Sequence, residues 1–584
     1  MENVNITING MELSVPKGST ILEAARIAGI EIPTLCYMKE INEIGACRIC
    51  MVEVSENGKP YRMVTACVFP VSEGMSIKTN SLRVQNSRKT TLEMILSTHN
   101  RKCLTCVRSG NCELQTLCND YGVDNDTKYE GDVPESELDT SAPHMVRDNS
   151  KCVLCRRCVA VCAQQQVGVI GANDRGFDTH IGCVWDKKLG EVDCISCGQC
   201  IVNCPVGALY EKDDTDKVYE ALADESKHVV VQTAPAVRAA IGEEFGLAIG
   251  TPCEGKMVAA LRRLGFDKVF DTDTAADFTI MEEANELIER VQNGGKLPLI
   301  TSCSPGWIKY CEYHYPDMLE NVSSCKSPQQ MFGALTKTWY AEKNGIDPKD
   351  IVVVSVMPCT AKKFEIGRDD QSASGYPDVD ISITTRELAR MIKRANLQFT
   401  KLPDEDFDNP LGESTGAAVI FGVTGGVMEA ALRTAVETIT GEKLENVDFE
   451  VVRGNDQVKV AEMKVGGLDV KVGVASGMTG AKELLERIKS GEKFTFIEIM
   501  GCPGVCVNGG GQPIQPTSVR QTVDIKTLRA GALYSLDKGK AIRKSHENPL
   551  CKEVYSTYLE KPGSHKAHKI LHTSYVDRSN DVTM

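Results

Sequence analysis

Residues 3–8 and 11–15 alternate polar and apolar side chains on either side of Asn9-Gly10, a two-residue hairpin signal, and Thr20 to Ala28 then carries apolar positions at helical spacing. The pattern predicts a small strand-strand-helix opening. A helical stretch from Ser81 to Ser97 leads into His99 and a group of cysteines, and a polar, acidic segment runs from Asp120 to Ser141. From Val229 onward, the β-branched runs Val229–Gln232 and Ile351–Val356 and the apolar run Ala418–Phe421 alternate with helical stretches such as Met281–Val291 and Lys482–Lys489. That alternation predicts an α/β domain with buried strands. Breaks near Asn80, at the end of the acidic segment, and at Glu211-Lys-Asp-Asp-Thr-Asp216, which reads as a solvated linker, predict four domains: 1–80, 81–140, 141–215 and 216–584. No solenoid-length repeat is present, only one short cysteine motif duplicated inside residues 152–205.

Length agrees with that division, since 584 residues at about 150 per domain make about four. Hydrophobic content of 42% with 25% charged residues suits a globular chain, and a net charge of −14 disfavours a nucleic-acid partner. Cysteine changes the picture most: of 25, seventeen lie between Cys36 and Cys204. The N-terminus lacks a basic region followed by an apolar stretch, and no apolar run approaches the ~18 residues of a membrane span. A cytoplasmic, reducing compartment is the expectation, where clustered thiols serve as metal ligands or catalytic groups rather than disulfides.

Three constellations precede residue 205. Cys36, Cys47, Cys50 and Cys67 form a Cys-x10-Cys-x2-Cys-x16-Cys set in the hairpin-helix segment, with Gly45 and Ala46 keeping the loop small. Four thiolates at a spacing unlike that of paired zinc knuckles favour a [2Fe-2S] centre over structural zinc. The second set reads His99-x3-Cys103-x2-Cys106-x5-Cys112, with Cys118 six residues on. Four cysteines, or three plus His99, could close a [4Fe-4S] site, and His99 is favoured because it stands one helical turn before the first thiol. The third set, Cys152-x2-Cys155-x2-Cys158-x3-Cys162 followed by Cys194-x2-Cys197-x2-Cys200-x3-Cys204-Pro205, is the duplicated bacterial ferredoxin spacing for two [4Fe-4S] clusters. In that pattern the fourth cysteine crosses over, which pairs Cys204 with the first three and Cys162 with the second three. Four centres in series read as an electron wire with a redox site at its inner end.

Three later stretches fit that site: Thr301-Ser-Cys-Ser-Pro-Gly-Trp307, Met357-Pro-Cys-Thr-Ala-Lys-Lys-Phe-Glu365, and Glu498-Ile-Met-Gly-Cys-Pro-Gly-Val-Cys-Val-Asn-Gly-Gly-Gly-Gln-Pro513. Cys303, Cys359, Cys502 and Cys506 supply four thiols from three loops, enough for another buried cluster, and Lys362 adds a positive charge beside it. The Gly509–Gly511 run permits close backbone approach.

At these stretches the sequence closely resembles the [FeFe]-hydrogenases, and the resemblance covers essentially the whole chain in the long clostridial-type order, down to Lys544-Ser-His-Glu-Asn548 and Leu571-His-Thr-Ser-Tyr575. It implies a β-grasp [2Fe-2S] ferredoxin-like domain, a [4Fe-4S] segment with one histidine and three cysteine ligands, a two-cluster ferredoxin domain, and a large α/β domain with a small-subunit-like tail. It also implies an H-cluster: a [4Fe-4S] cubane joined through a cysteine sulfur to a di-iron unit bearing carbon monoxide, cyanide and an azadithiolate amine, which maturation proteins supply. Carried over by motif position, Cys359 and Cys502 would be cubane ligands and Cys506 the bridging thiolate. Lys362 would hydrogen-bond one cyanide, backbone groups at Ala234-Pro235 and Ser327-Pro328 the other, and Met357 and Met500 would wall the di-iron unit. The implied proton path runs through a cysteine, Glu283, Ser323 and Glu286, with Arg290 one turn beyond; Glu283 and Glu286, three apart, share a helix face.

One position departs from the family. The usual signature has two adjacent cysteines, relay thiol then cubane ligand, whereas here Cys303 is followed by Ser304. Ser304 could ligate as an alkoxide, Cys303 could ligate while the relay changes, or the fourth corner could be weakened; Cys303 as ligand is the expectation. The variant signature and Cys325-Lys-Ser-Pro-Gln-Gln330 resemble catalytic subunits of NAD(P)-linked and electron-bifurcating hydrogenases. No G-x-G-x-x-G fingerprint follows a strand, so nicotinamide chemistry requires flavin and iron-sulfur partner subunits, and ferredoxin is the other candidate carrier. The competing readings are an electron-transfer subunit like that of respiratory NADH dehydrogenase and a dihydrogen sensor. Cys183, Cys253, Cys311, Cys325 and Cys551 read as buried or free thiols.

Overall fold

In a computed structural model that describes residues 2–124, 128–133 and 135–581, the N-terminal segment forms a five-stranded sheet. Its strands are β1 (Asn3–Ile8), β2 (Met11–Pro16), β3 (Met51–Ser55), β4 (Arg62–Thr65) and β5 (Ser76–Lys78), in the order β2-β1-β5-β3-β4. Asn9 and Gly10 both take positive φ, as the predicted hairpin turn requires, and Thr20 and Glu23 close a capping box at the head of helix Ile21–Ile27. Helix Leu82–Ser97, capped by Ser81, runs to the second cysteine group. Four short strands follow: β6 (Met145–Arg147), β7 (Gly171–Asn173), β8 (His180–Gly182) and β9 (Leu209–Glu211), paired antiparallel as β6-β9 and β7-β8.

Two four-stranded sheets organise the rest. One is all parallel, in the order β11-β10-β13-β14, from β10 (His228–Thr233), β11 (Lys268–Asp271), β13 (Ile351–Met357) and β14 (Ile381–Thr384). The other, in the order β12-β17-β16-β15, joins β12 (Leu299–Ile300), β15 (Val458–Val465), β16 (Leu468–Ser476) and β17 (Phe496–Met500), with only the β15-β16 pair antiparallel. The central strands are buried along most of their length, hence the continuous Val/Ile runs. Among the described residues no helix is long and apolar enough to cross a membrane.

Two expectations fail. Ala418–Phe421 is not a strand: it lies in helix Gly416–Val419 and the turn Ile420–Gly422, packed against other helices. A four-residue apolar run carries no periodicity of its own, and here it is buried among helices, so composition alone does not tell helix from strand. The acidic run 211–216 is not a solvated linker either. Glu211 is buried and bonded by Arg386 at 2.8 Å and Arg390 at 2.6 Å, and Asp214 is buried against Lys363 at 2.5 Å. These acids are counter-ions for basic residues of the large α/β unit, whose partners the linear sequence hides.

Candidate active site

Parallel strands leave their carboxyl ends open, and ligands collect there. The loop after β10 begins Ala234-Pro235, that after β11 Thr272-Asp273, that after β12 contains Cys303-Ser304-Pro305, that after β13 Pro358-Cys359, and that after β17 Gly501-Cys502. All of these line one cavity with an empty volume of about 760 Å³, joined by Pro328, Met357, Lys362, Met500 and Cys506. Three helices begin at it with proline in the first turn, after Ala234, Ser304 and Ser327, so their leading N–H groups have no intrahelical partner. The sequence signatures thus meet in space.

The four thiols differ in what surrounds them. Burial, then the nearness of Cys359, pushes Cys502 up to about 12; burial likewise raises Cys359 and Cys506, and Cys506 feels both of the others. Cys303 stands apart: burial and then the Glu283 carboxylate raise its thiol well above the ordinary value, and its Sγ lies 3.9 Å from Met500 Sδ. Thiols this costly to ionise alone are matched to a cationic iron centre, which makes thiolate formation favourable. Ser304 occupies the N-cap of helix Pro305–His314 without capping it; its Oγ instead accepts the Gly501 N–H at 3.0 Å, beside Cys502. Cys303 thus lies between Glu283 and Cys506, and Ser304 beside Cys502.

Lys362 Nζ donates to the Cys303 carbonyl at 3.2 Å and to Glu365 at 2.9 Å; Ser327 Oγ, at 2.8 Å, and Gln329 Nε2, at 2.9 Å, converge on the same carboxylate. Glu365 is therefore the anchor of the cavity's one lysine head. Sequence reasoning quoted it without a role, although its i+3 spacing from Lys362 was a usable signal. Gly509 and Gly511 pack against the Pro358-Cys359 backbone, where a Cβ on Gly509 would meet the Pro358 carbonyl at 2.1 Å and one on Gly511 the Cys359 nitrogen at 3.0 Å. The glycines make room for a ligand seat rather than a flexible loop.

Behind Cys303 the carboxylates on helix Thr272–Asn293 line up. Glu283 is 1% exposed, so it is no part of a solvated acidic face; burial, then the charge of Glu286, lifts it to about 8. Ser302 Oγ lies 3.5 Å from its Oε1. Ser323 Oγ accepts the Cys325 N–H at 3.2 Å and donates to Glu286 at 2.8 Å, and Arg290 Nη2 donates to the other Glu286 oxygen at 2.5 Å. Arg290 also holds the Glu320 and Val322 carbonyls, at 3.1 and 3.2 Å, where the relay nears the surface.

The remaining cysteines assemble as their spacing requires. Cys36 and Cys47 share a hydrogen bond, Cys50 and Cys67 lie 3.3 Å apart, and the two pairs interact. Cys152, Cys155, Cys158 and Cys204 line one small cavity, while Cys162 neighbours Cys194, Cys197 and Cys200. His99 is buried with its Nδ1 lacking any hydrogen-bond partner among the described residues, and burial lowers it to about 4, so it is a neutral nitrogen of the kind iron takes. Cys118 packs with Leu92, Leu96 and Leu114 in the apolar core. The five other thiols outside the motifs are also buried.

Asn42 Nδ2 donates to both the Cys36 carbonyl, at 2.7 Å, and the Cys155 carbonyl, at 3.0 Å. Arg108 Nη1 donates to the Cys204 carbonyl at 3.1 Å, and Gly207 sits so close to Cys106 that a Cβ would meet its sulfur at 2.5 Å. Both outer sets abut the same inner set. Inward, Cys200 neighbours Cys158, and Cys502 Sγ lies 3.8 Å from the Cys197 carbonyl.

Known proteins share this arrangement. The family model for the iron only hydrogenase large subunit, C-terminal domain, matches residues 227–510, and that for the iron hydrogenase small subunit matches residues 523–578. A 2Fe-2S iron-sulfur cluster binding domain matches 1–82, and the NADH-ubiquinone oxidoreductase-G iron-sulfur binding region matches 88–127. The chain is 51% identical to NADP-reducing hydrogenase subunit HndD of Solidesulfovibrio fructosivorans over 99% of this chain and 100% of that one. It is 43% identical to iron hydrogenase 1 of Clostridium pasteurianum, over 98% and 99%. A solved [FeFe]-hydrogenase HydA1 from Chlamydomonas reinhardtii superposes with a TM-score of 0.54 at 44% identity, covering 62% of this chain and 98% of that one.

Proposed function

The chain belongs to the [FeFe]-hydrogenase family, an iron hydrogenase that interconverts dihydrogen with protons and electrons, and from that premise we propose that it is the hydrogen-activating subunit of an NAD(P)-linked assembly. The observation that carries the assignment of partner is the full-length, 51% identity to an NADP-reducing hydrogenase subunit, in a chain with no dinucleotide fingerprint of its own. Flavin and iron-sulfur subunits would then pass electrons between the outer clusters and nicotinamide, and maturation proteins would deliver the di-iron unit.

Cys359, Cys502 and Cys506 would hold the cubane, with Ser304 or Cys303 beside them to complete the set. When bound, the di-iron unit supplies the metal at which dihydrogen is split and the amine that takes the first proton. The protein does the rest. Met357 and Met500 keep the cavity soft and apolar, the Glu365-anchored Lys362 presents one fixed positive charge, and the proline-headed turns at Ala234-Pro235 and Ser327-Pro328 present backbone N–H groups. Cys303 carries the proton outward to Glu283, whose raised affinity keeps it ready to hold one near neutral pH, and Ser323 passes it to Glu286 and Arg290. The contact of Cys502 with the Cys197 carbonyl is where electrons would pass to the ferredoxin module once the clusters are bound.

The matured chain, mixed with a flavin-bearing partner subunit, should reduce NADP⁺ under dihydrogen, and alone should reduce only a dye or ferredoxin. Equal NADP⁺ reduction without any partner, or none with it despite dye turnover, would remove the proposed linkage.

A further inference from the structure

The C-terminal segment, remote in sequence from every cluster motif, crosses the loop that carries Ser323. An antiparallel bridge pairs Cys325 with His572; Lys326 N donates to the Leu571 carbonyl at 2.8 Å and Thr573 N to the Ser324 carbonyl at 2.7 Å. Tyr575 donates its hydroxyl to the Ser323 carbonyl at 2.5 Å. The backbone from Ser323 to Lys326 is therefore held by residues 571–575.

His572 adds a direction. Its Nε2 lies 3.1 Å from Glu282 Oε2 and its Nδ1 2.8 Å from Ser324 Oγ. Glu282 is fully buried and already receives the Tyr555 hydroxyl at 2.6 Å and the Gly563 N–H at 2.9 Å. Glu282 takes His572 Nε2 as a third donor, and Nδ1 pairs with the Ser324 hydroxyl. The Ser324 hydroxyl is thereby engaged by His572 and not by Glu286. Glu286 receives the Ser323 hydroxyl at 2.8 Å, the Ser324 N–H at 3.3 Å, the Arg290 guanidinium at 2.5 Å and the Cys325 thiol at 4.0 Å. The hydrogen bonds that reach the Glu286 carboxylate are all donated to it, with the Ser323 hydroxyl among the donors, the arrangement an outward proton transfer needs.

We propose that His572 and Tyr575 are positioning residues of the proton relay, holding Ser323 on Glu286 and keeping the Ser324 hydroxyl engaged away from it. This rests on the reading of Glu283, Ser323 and Glu286 as the relay. No proton passes through either residue: each acts through the 323–326 loop, and the small-subunit-like tail is thereby part of the proton machinery.

The test uses the matured full-length chain and the variants Tyr575→Phe, His572→Phe, His572→Gln and Glu283→Gln. Dye-linked dihydrogen oxidation is compared in H2O and D2O, with iron content and the carbonyl and cyanide infrared bands measured on each sample. Tyr575→Phe and His572→Phe should lose about ten- to a hundredfold in turnover, with a larger solvent isotope effect and unchanged bands. His572→Gln, which keeps a donor and an acceptor, should recover most of the rate. Unchanged turnover and isotope effect in Tyr575→Phe and His572→Phe, while Glu283→Gln is slow, would sink the proposal and leave the relay standing. A fast Glu283→Gln would sink the relay and the proposal with it. Should His572→Phe fail to fold, Tyr575→Phe, which removes one oxygen, decides alone.

Discussion

Ser304 and Cys303 are neighbours with different surroundings, and the difference is testable. Ser304 Oγ sits on the Gly501 N–H beside Cys502, whereas the Cys303 thiol faces Met500 and feels Glu283. Oxygen is the harder donor and stabilises ferric iron, so Ser304→Cys should raise the midpoint potential of the cubane alone, followed by redox-titrated electron paramagnetic resonance on chain lacking the di-iron unit. Cys303→Ser should leave that signal and the iron content intact while turnover falls by about 10²-fold or more; loss of the cubane signal would return Cys303 to the ligand set. Glu283 carries a second expectation. Its affinity rises from 4.5 to about 8 on folding, so the folded chain holds a proton that the unfolded chain has released across that window. Stability is therefore lost as pH rises through it. Glu283→Gln should flatten that slope in denaturant titrations of the chain; an unchanged slope would mean the carboxyl is not buried in its protonated form.

At the scale of elements, the loop Gly509–Gly511 is where the active site meets the ferredoxin module. A Cβ on Gly510 would meet the Cys197 carbonyl at 2.3 Å, and Thr360 Oγ1 donates to the Ser196 carbonyl at 2.8 Å from the neighbouring loop. Gly510→Ala forces these backbones apart at an expected cost of about 1–3 kcal/mol. Exchange of dihydrogen with solvent deuterons, which needs no electron to leave, should survive better than dye-linked uptake, which does. Equal loss of both would place the damage at the cavity instead. This junction was half legible: the glycine run announced a close approach, but only the fold shows that one of the surfaces approached is Cys197. The cysteine spacings and the hairpin were readable because ligand geometry and turn chemistry are local. Glu365, Glu282, Tyr555 and His572 were not, since each acquires meaning from a partner far along the chain or, for Glu365, from the cavity it serves. Ala418–Phe421 misled because a short apolar run buried on all sides has the same composition in a helix as in a strand.

For the whole molecule, the question is how electrons enter. Asn42 ties the Cys36 loop to Cys155, and Arg108 ties the His99 group to Cys204, so two outer sets abut one inner set. In a serial wire, disabling either outer set would stop all partner-linked turnover. In a fork, each disables only the partner that docks at that branch. His99→Ala removes the neutral ligand of one branch, and Cys50→Ser replaces a buried thiolate of the other. With the flavin-bearing subunit as donor or acceptor, one of these variants should abolish NADP⁺-linked uptake and the other leave most of it, while both keep exchange of dihydrogen with solvent. Ferredoxin-linked turnover, measured on the same preparations, should show either the same dependence, if both carriers use one branch, or the opposite one. Abolition by both variants with every carrier would contradict the fork, because contact with a common inner set would then not suffice for transfer. A branched entry would let one catalytic cavity serve carriers of different potential without a moving part, since the side chains of Asn42 and Arg108 hold both outer groups on the inner one by buried hydrogen bonds to backbone carbonyls.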